Sequence, residues 1–473
     1  MPKNDRKFSI LSLGAAQAAH SGRIHSGADD SGKKDGEERK SEAAFEKIIE
    51  EVRAYLAGFG GSGEREKWLH HEMLNKAVLG FAEERKQLLA LIGDYLMKRR
   101  LHLSGVPEGR YETLAEAVFS EVIGLNVLEL VLKDREGLEE VQVVGRQIFE
   151  VRGGVPKRSV HSFRSLAEVE RLQQNLVLFN QDTLNVRKRW AEVRLSDGSR
   201  VTLTGFGFTS EPTITIRFYS AGRCDLEELA GPGFLTLDRT GVLLLRALVR
   251  SYVNMVVIGA TNTGKTHLIK ALIAEMPDHE RIVTIESRLE LMLRRDFPEK
   301  NVIEYEVSED DAKHDGRQAF KLALRQSPRR ICHAEIRDED ANLYVRACTR
   351  GHAGSLTTVH VHQMEDAPSA IADMCMQDGR PVSAERLLKR ITLYVTQVGI
   401  EMAVVSGRRK IVRIGEFSFE GGEPRVRDLM RYEPDADGWV YPGRLSDRLA
   451  GRIRRLAPDC YAALAEAGLI ARC

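Results

Sequence analysis

The chain lacks the marks of a cross-linked secreted domain, a membrane span or a strongly charged binding module. Its six cysteines, Cys224, Cys332, Cys348, Cys375, Cys460 and Cys473, include no CxxC pair. That spacing suits neither a disulfide framework nor a zinc site, and a reducing compartment fits it. No apolar run approaches the roughly 18 to 20 residues needed to span a bilayer. Lys+Arg 70 against Asp+Glu 69 leaves a net charge of +1. That balance gives no global electrostatic case for nucleic acid or an anionic membrane, and only a local patch stays open. Lys3, Arg6 and Lys7 precede an apolar segment from Phe8 to Ala16 and then Ala18 and Ala19. This is the order of a signal peptide, but the segment is short and diluted by Ser and Gly, so export is not expected. No internal repeat is visible.

What is present is ordinary globular material, 42% hydrophobic and 29% charged over 473 residues. That length allows about two to four domains. Residues 1–40, rich in Ser, Gly and charge from His20 onward, read as a disordered tail. Residues 41–105 read as helical, with Phe45, Ile48, Ile49, Val52 and Leu56 at helical spacing and a glycine-rich break over 58–63. Residues 106–222 read as a small α+β domain. Two short strands lie around Gly145, a helix covers Leu166–Leu178, a hairpin turns on Asp197-Gly198, and a strand begins at Thr213. From 223 to 425 helices and buried strands alternate, the sign of a mostly parallel sheet covered by helices. Residues 426–473 form an appendage.

The strongest signal is Gly259-Ala-Thr-Asn-Thr-Gly-Lys-Thr266, a full GxxxxGK[ST] loop. A buried-strand run, Val253–Ile258, leads into it, and a good helix start at His267 follows. Gly259 and Gly264 permit torsions that turn successive N–H groups, through Ala260, Thr261, Asn262 and Thr263, toward a phosphate. The following helix adds its positive end. Lys265 is suited to β/γ-phosphate charge and the Thr266 hydroxyl to Mg²⁺, so ATP and Mg²⁺ are the expected ligands.

Hydrolysis also needs an acid to orient metal and water. The strand Arg281–Ile285 runs into Glu286, with Glu290 four residues on. The strand Arg330–Ala334 runs into Glu335. In an open parallel sheet, ligands lie beyond the carboxyl ends of strands, where these acids would project. Taken singly, each could be a solvated acid at a strand end, Glu286 more readily than Glu335. The segment Thr349–His362 brings His352, His360 and His362 around a short strand at Leu356–Val359. No cysteine or carboxylate set completes a zinc site there, and a histidine hydrogen-bonding phosphate or attacking water is the better reading.

The ordered series GATNTGKT, IVTIESRLEL, ICHAEIRDEDA and TRGHAGSLTTVHVH resembles the secretion-system and pilus ATPases of bacteria and archaea, in their Walker A, Asp box, atypical Walker B and His box. It is most similar to the Tad/Flp-pilus and conjugation-type branch. Gly124–Glu129, the strands after Leu138, Asp197–Arg200 and Thr213–Arg217 resemble that branch's N-terminal domain. The similarity covers roughly 120–420. It implies a RecA-like P-loop domain behind a smaller α+β domain, closing on it as nucleotide turns over in a homohexameric ring. Glu335 would act on Mg²⁺ and the attacking water, Glu286 and Glu290 near the metal and γ-phosphate, and His352 and His360 at the γ-phosphate. Arg217 and Arg200 match arginines that approach the phosphates from the N-terminal domain. The pattern departs at Ser287, where the family has Asp, at Ala334, where it has Gly, and at His267, Arg329 and His362.

The resemblance implies an ATP-driven motor at the cytoplasmic face of a type II/type IV-like machine, docked on a polytopic inner-membrane platform protein. Two further readings stay open from sequence: a nucleotide-binding structural subunit with little or no turnover, and a nucleic-acid translocating motor. Near-neutral charge and the lack of a known DNA-binding module speak against the last.

Overall fold

A computed structural model describes residues 34–58, 64–101, 111–178, 183–218, 223–308, 311, 313–336, 340–377 and 383–471. The chain separates into two compact units, residues 1–220 and 221–473. Most of the expected N-terminal tail, residues 1–33, lies outside the described residues, as do the glycines 60, 61 and 63 and the linker residues 220–222.

In the first unit a helix runs over Lys34–Gly58, starting seven residues before the expected Ser41. Phe45, Ile49, Val52 and Leu56 form its buried stripe, the i, i+4, i+7, i+11 pattern of a core-facing helix. Helices Glu64–Val78, Ala82–Lys98 and Leu114–Val122 follow. The last is capped by Thr113, whose hydroxyl accepts from the Glu116 N–H at 3.1 Å. Six strands come next: β1 (Leu138–Val144), β2 (Gln147–Arg152), β3 (Val155–Ser162), β4 (Trp190–Arg194), β5 (Arg200–Thr204) and β6 (Thr213–Arg217). They form one antiparallel sheet in the order β3-β2-β1-β6-β5-β4. Strands β4, β5 and β6 alternate buried residues with half-buried or exposed ones, as a sheet with one face on the core does. That face packs on Val169, Leu172 and Leu176 of the helix Leu166–Leu178, and the N-terminal helices join the same core. The helical region and the α+β region are therefore one unit, because neither buries its apolar face alone.

Among the described residues the second unit holds nine strands: β7 (Met255–Ile258), β8 (Ile282–Glu286), β9 (Val302–Glu306), β10 (Arg330–His333), β11 (Leu356–Val359), β12 (Val398–Val405), β13 (Arg408–Glu420), β14 (Glu423–Glu433) and β15 (Gly438–Val440). Their order is β15-β14-β13-β12-β7-β11-β10-β8-β9. Strands β12, β7, β11, β10, β8 and β9 are parallel, and β13 to β15 add an antiparallel meander. β10 and β11 stand between β7 and its successor β8, the arrangement of a RecA-like P-loop domain. All four residues of β7, β10 and β11 are buried. Met255 and Val257 feed the core on one face, and Val256 and Ile258 the core on the other. Strands with two covered faces read as continuous apolar runs for this reason.

The C-terminal residues are no separate appendage. Strand β14 crosses the expected boundary at 425 because its backbone pairs with β13. Leu449, Ile453, Leu464 and Ile470 of the following segment complete the core on one face of the sheet. Cys224, Cys332, Cys348 and Cys375 are buried free thiols, and burial pushes Cys332 and Cys348 up to about 12. No helix among the described residues is long and apolar enough to cross a membrane.

Candidate functional site

Strand β7 ends buried at Ile258, and the chain turns through residues 259–264 into the helix Lys265–Ala274. Gly259 sits at φ +142°, where a Cβ would lie 2.4 Å from the Met402 carbonyl oxygen and 2.9 Å from Thr263 Oγ1. Gly264 takes φ +93°, and between them Asn262 takes φ +66°. The loop thus needs glycine at both ends, for space at the first and for left-handed backbone at the second. The carbonyls of Gly259, Ala260 and Asn262 are held. Thr263 Oγ1 donates to Ala260 O at 2.9 Å, and Arg409 donates from Nε to Asn262 O at 3.0 Å and from Nη2 to Asn262 Oδ1 at 3.1 Å. Lys265, 8% exposed, donates from Nζ to Gly259 O and Ala260 O, each at 2.8 Å.

The helix start has no side-chain cap, as at the helices beginning at Ala341 and Ala367 and unlike those beginning at Arg239 and Gly316, which an Asp caps. Its first N–H groups therefore keep their capacity for an anion. Ala260, Thr261 and Asn262 are exposed, and Thr266 and His267 are half-buried in the first helical turn.

The two glutamates after β8 differ in their surroundings. Glu286 is 1% exposed and its Oε2 accepts from the backbone N–H groups of Glu290 and Leu291 at 2.9 and 3.0 Å. Burial pushes its pKa up to about 8. Its carboxyl group folds the following turn. Glu290 is the one presented to the loop, with Oε2 3.5 Å from Thr266 Oγ1. A hydroxyl beside a carboxylate suits Mg²⁺, which takes one or two protein oxygens and completes its shell with phosphate and water. Thr266 and Glu290 fit that ion; Glu286, expected at the metal, is occupied with backbone amides. Among the described residues no group of three or more His, Cys, Asp or Glu side chains gathers as a metal cluster.

Glu335 follows β10, and His360 follows β11. Their Oε1 and Nε2 atoms are 3.4 Å apart, and the side chains are 39% and 44% exposed, open to a ligand. Strands β7, β11, β10 and β8 are parallel neighbours, so the loop, His360, Glu335 and Glu286 all lie at one edge of the sheet. Ala334 keeps its place without left-handed backbone, and its carbonyl accepts from Thr358 Oγ1 at 2.7 Å. Ser287 leaves Glu290 as the carboxylate at the loop.

His352 does not join this group. It precedes β11, with Nδ1 3.0 Å from the Pro328 carbonyl, whereas His360 follows the same strand. A four-residue strand sets the two ends about 13 Å apart. In the first unit Arg200 and Arg217 are direct cross-strand partners, with Arg194 paired to Arg200 and Glu140 to Arg217. Three cations and one anion, Glu140, therefore share one row. Arg194 was not singled out from sequence. Neither was Arg409, although Val405-Ser-Gly-Arg408 is a legible hairpin turn.

A glycine-bounded loop at the carboxyl edge of a RecA-like sheet, with a lysine, a threonine and flanking acids, defines a P-loop nucleotide-binding protein. A family profile described as "Type II/IV secretion system protein" matches residues 165–409. The chain belongs to that family. It is 41% identical over 122 residues to the type IV secretion system protein VirB11 of Bartonella quintana, 25% of this chain and 33% of that one. It is 33% identical over 175 residues to the type IV secretion system protein PtlH of Bordetella pertussis, 36% of this chain and 52% of that one. The chain thus spans between a third and about half the length of these relatives. Among solved structures, the ATPase DotB of Legionella pneumophila aligns over 72% of this chain and 87% of that one, at 17% identity and a TM-score of 0.46.

Proposed function

We propose that this protein hydrolyses ATP as the motor subunit of a type II/type IV-like secretion, pilus or conjugation machine. The observation that carries the reading is the convergence at one sheet edge of the loop 259–266, the Thr266–Glu290 pair and the Glu335–His360 pair. Loop and helix N–H groups bind the triphosphate tail, and Lys265 adds positive charge beside it. Thr266 and Glu290 would hold Mg²⁺, which neutralises charge on the phosphate oxygens when bound. Glu335 orients the attacking water and takes its proton as the bond to the γ-phosphorus forms and the β–γ bridge breaks, giving ADP and phosphate. His360 holds the Glu335 carboxylate in position. Arg200 and Arg217 would carry the cationic role that the family resemblance gives them, and the chain would work as a homohexameric ring. The ring works at the cytoplasmic face of the cell membrane on a polytopic platform protein.

The test is phosphate release by the purified chain, with Lys265→Ala and Glu335→Gln beside it, and its mass in solution with and without nucleotide. Turnover lost in both variants and a hexameric mass support the motor. Wild-type turnover no faster than that of Glu335→Gln would leave a structural subunit, and turnover that depends on single-stranded DNA would point to a nucleic-acid motor.

A further inference from the structure

The tip of the nucleotide loop is braced by a hairpin that lies 147 residues away in sequence. Strand β12 runs parallel to β7, and their pairing ends at Glu401 opposite Ile258. Beyond that point β12 and β13 continue as a two-stranded hairpin, pairing Met402 with Ile411 and Val404 with Arg409. It closes at Val405 opposite Arg408 on Ser406 and Gly407, at φ +50° and +76°. Two consecutive left-handed residues make the tight turn whose twist suits paired strands. The overhang therefore projects past the end of β7 with a set register, and it meets the loop from behind.

Two of its residues touch the loop. The Met402 carbonyl oxygen lies 2.4 Å from where a Gly259 Cβ would be, and Arg409 Cδ lies 3.0 Å from where a Gly264 Cβ would be. The Arg409 stem thus covers the second loop glycine while its guanidinium bonds both the backbone and the side-chain oxygen of Asn262. Asn262 is the one residue of 259–266 other than glycine with positive φ, a conformation that side chains disfavour and that Asn tolerates best. Charge-assisted bonds of a planar fork are strong and directional.

We propose that Arg409 is a positioning residue for nucleotide binding: its two-pronged grip on Asn262 holds the loop tip in the left-handed turn that points the neighbouring N–H groups at phosphate. It acts through the loop and leaves the chemical step to other groups. The proposal rests on the nucleotide-binding reading of residues 259–266. Without the grip, the loop samples other conformations, and nucleotide must first select the competent one. Affinity therefore falls and turnover at saturation persists. Lysine keeps the charge and most of the stem over Gly264 but has no planar fork, so it separates grip from charge.

The experiment is calorimetric titration of the full chain with Mg·ADP, for wild type, Arg409→Ala, Arg409→Lys and Lys265→Ala, with kcat and KM for ATP and the melting temperature of each nucleotide-free variant. Arg409→Ala is expected to weaken Mg·ADP binding about tenfold and raise KM similarly, consistent with loss of hydrogen bonds to a charged group. Its kcat is expected within about threefold of wild type, consistent with loss of binding common to ground and transition states. Arg409→Lys is expected to recover only a minor part of the affinity, and it tests the proposal even if the alanine variant unfolds. Unchanged affinity in Arg409→Ala, full recovery in Arg409→Lys, or a fall in kcat at unchanged affinity overturns the proposal. A wild-type chain that binds Mg·ADP no better than Lys265→Ala overturns the nucleotide-binding reading itself, and the proposal with it.

Discussion

The strands of the nine-stranded sheet end and begin in very different company. At their carboxyl edge lie a glycine-bounded loop that enters a helix with no side-chain cap, an exposed Glu335–His360 pair and the Glu290 carboxylate beside a hydroxyl. At their amino edge polar groups are also present, but most of them bond one another, with Arg330 Nη2 and Ser251 Oγ left over. Arg330 is 1% exposed, donates from Nε to Glu280 Oε2 at 2.6 Å and from Nη1 to Val249 O at 2.9 Å, and lies over the Tyr252 ring. Tyr252 donates to Glu280 Oε1 at 2.5 Å. Asn254 ties three segments together, donating to Tyr394 O, accepting from the Ser355 N–H and bonding Gln397 Oε1 through its own N–H. The lesson is that polar density does not mark a site; polar groups left facing outward do. The segment 349–362 crosses from one edge to the other, so His352 and His360 fall in opposite environments.

That contrast can be broken most sharply at the chemical edge. Glu335→Gln should lower ATP turnover by about a hundredfold or more, the usual effect of losing a group that handles a proton in the transition state, while Mg·ADP affinity measured by calorimetry stays within about threefold. At the closed edge, Gly354→Ala should act on stability alone. Its Cβ would meet Arg330 Nη1 at 2.5 Å and the Tyr252 Cα at 3.0 Å, at a φ of +80°. Strain and overpacking together predict a loss of about 2–4 kcal/mol in urea unfolding, with nucleotide affinity of the folded protein unchanged.

The histidines divide the same way at smaller scale. His360→Ala should cut turnover about tenfold by freeing the Glu335 carboxylate, whereas His352→Ala should leave turnover within about twofold and cost about 1 kcal/mol of stability through its lost bond to Pro328. The smallest effect is a pH dependence at Glu286. Burial raises its pKa from 4.5 to about 8, so the folded chain holds a proton that the unfolded chain releases. Its contribution to stability therefore falls as pH rises from about 4.5 to 8 and then levels off. Melting temperatures should show Glu286→Gln flattening that decline; an identical slope in the variant would place the buried proton elsewhere.

Much of the fold was legible because each element carries its own periodicity. The helix Leu166–Leu178, the strand Leu356–Val359 and the loop at Gly259 lie where pattern and turn residues put them. Strand β3 was not legible. Val155-Pro-Lys-Arg-Ser-Val-His-Ser162 is mostly exposed, and an edge strand can hold Pro and polar residues because half its backbone groups need no partner. The boundary at 425 failed on similar grounds, since a meander that adds to an existing sheet has no compositional break. In the site, the lysine, threonine and acids stand out as candidates from spacing, but spacing does not say that Glu286 turns to backbone amides or that His352 and His360 lie at opposite strand ends. Arg409 was invisible because its partner is remote.

The sequence by itself determined the glycine-bounded loop, the apolar strands that end at it and the acids that follow those strands. All of these depend on backbone preferences and alternation within a few residues. Only the tertiary structure decided which glutamate faces Thr266, which histidine stands beside Glu335 and which arginine braces the loop tip. Those outcomes follow from strand order and register, which bring together groups as far as 147 residues apart. They are set by how two buried faces pack on one sheet, and no short window of the chain contains that information.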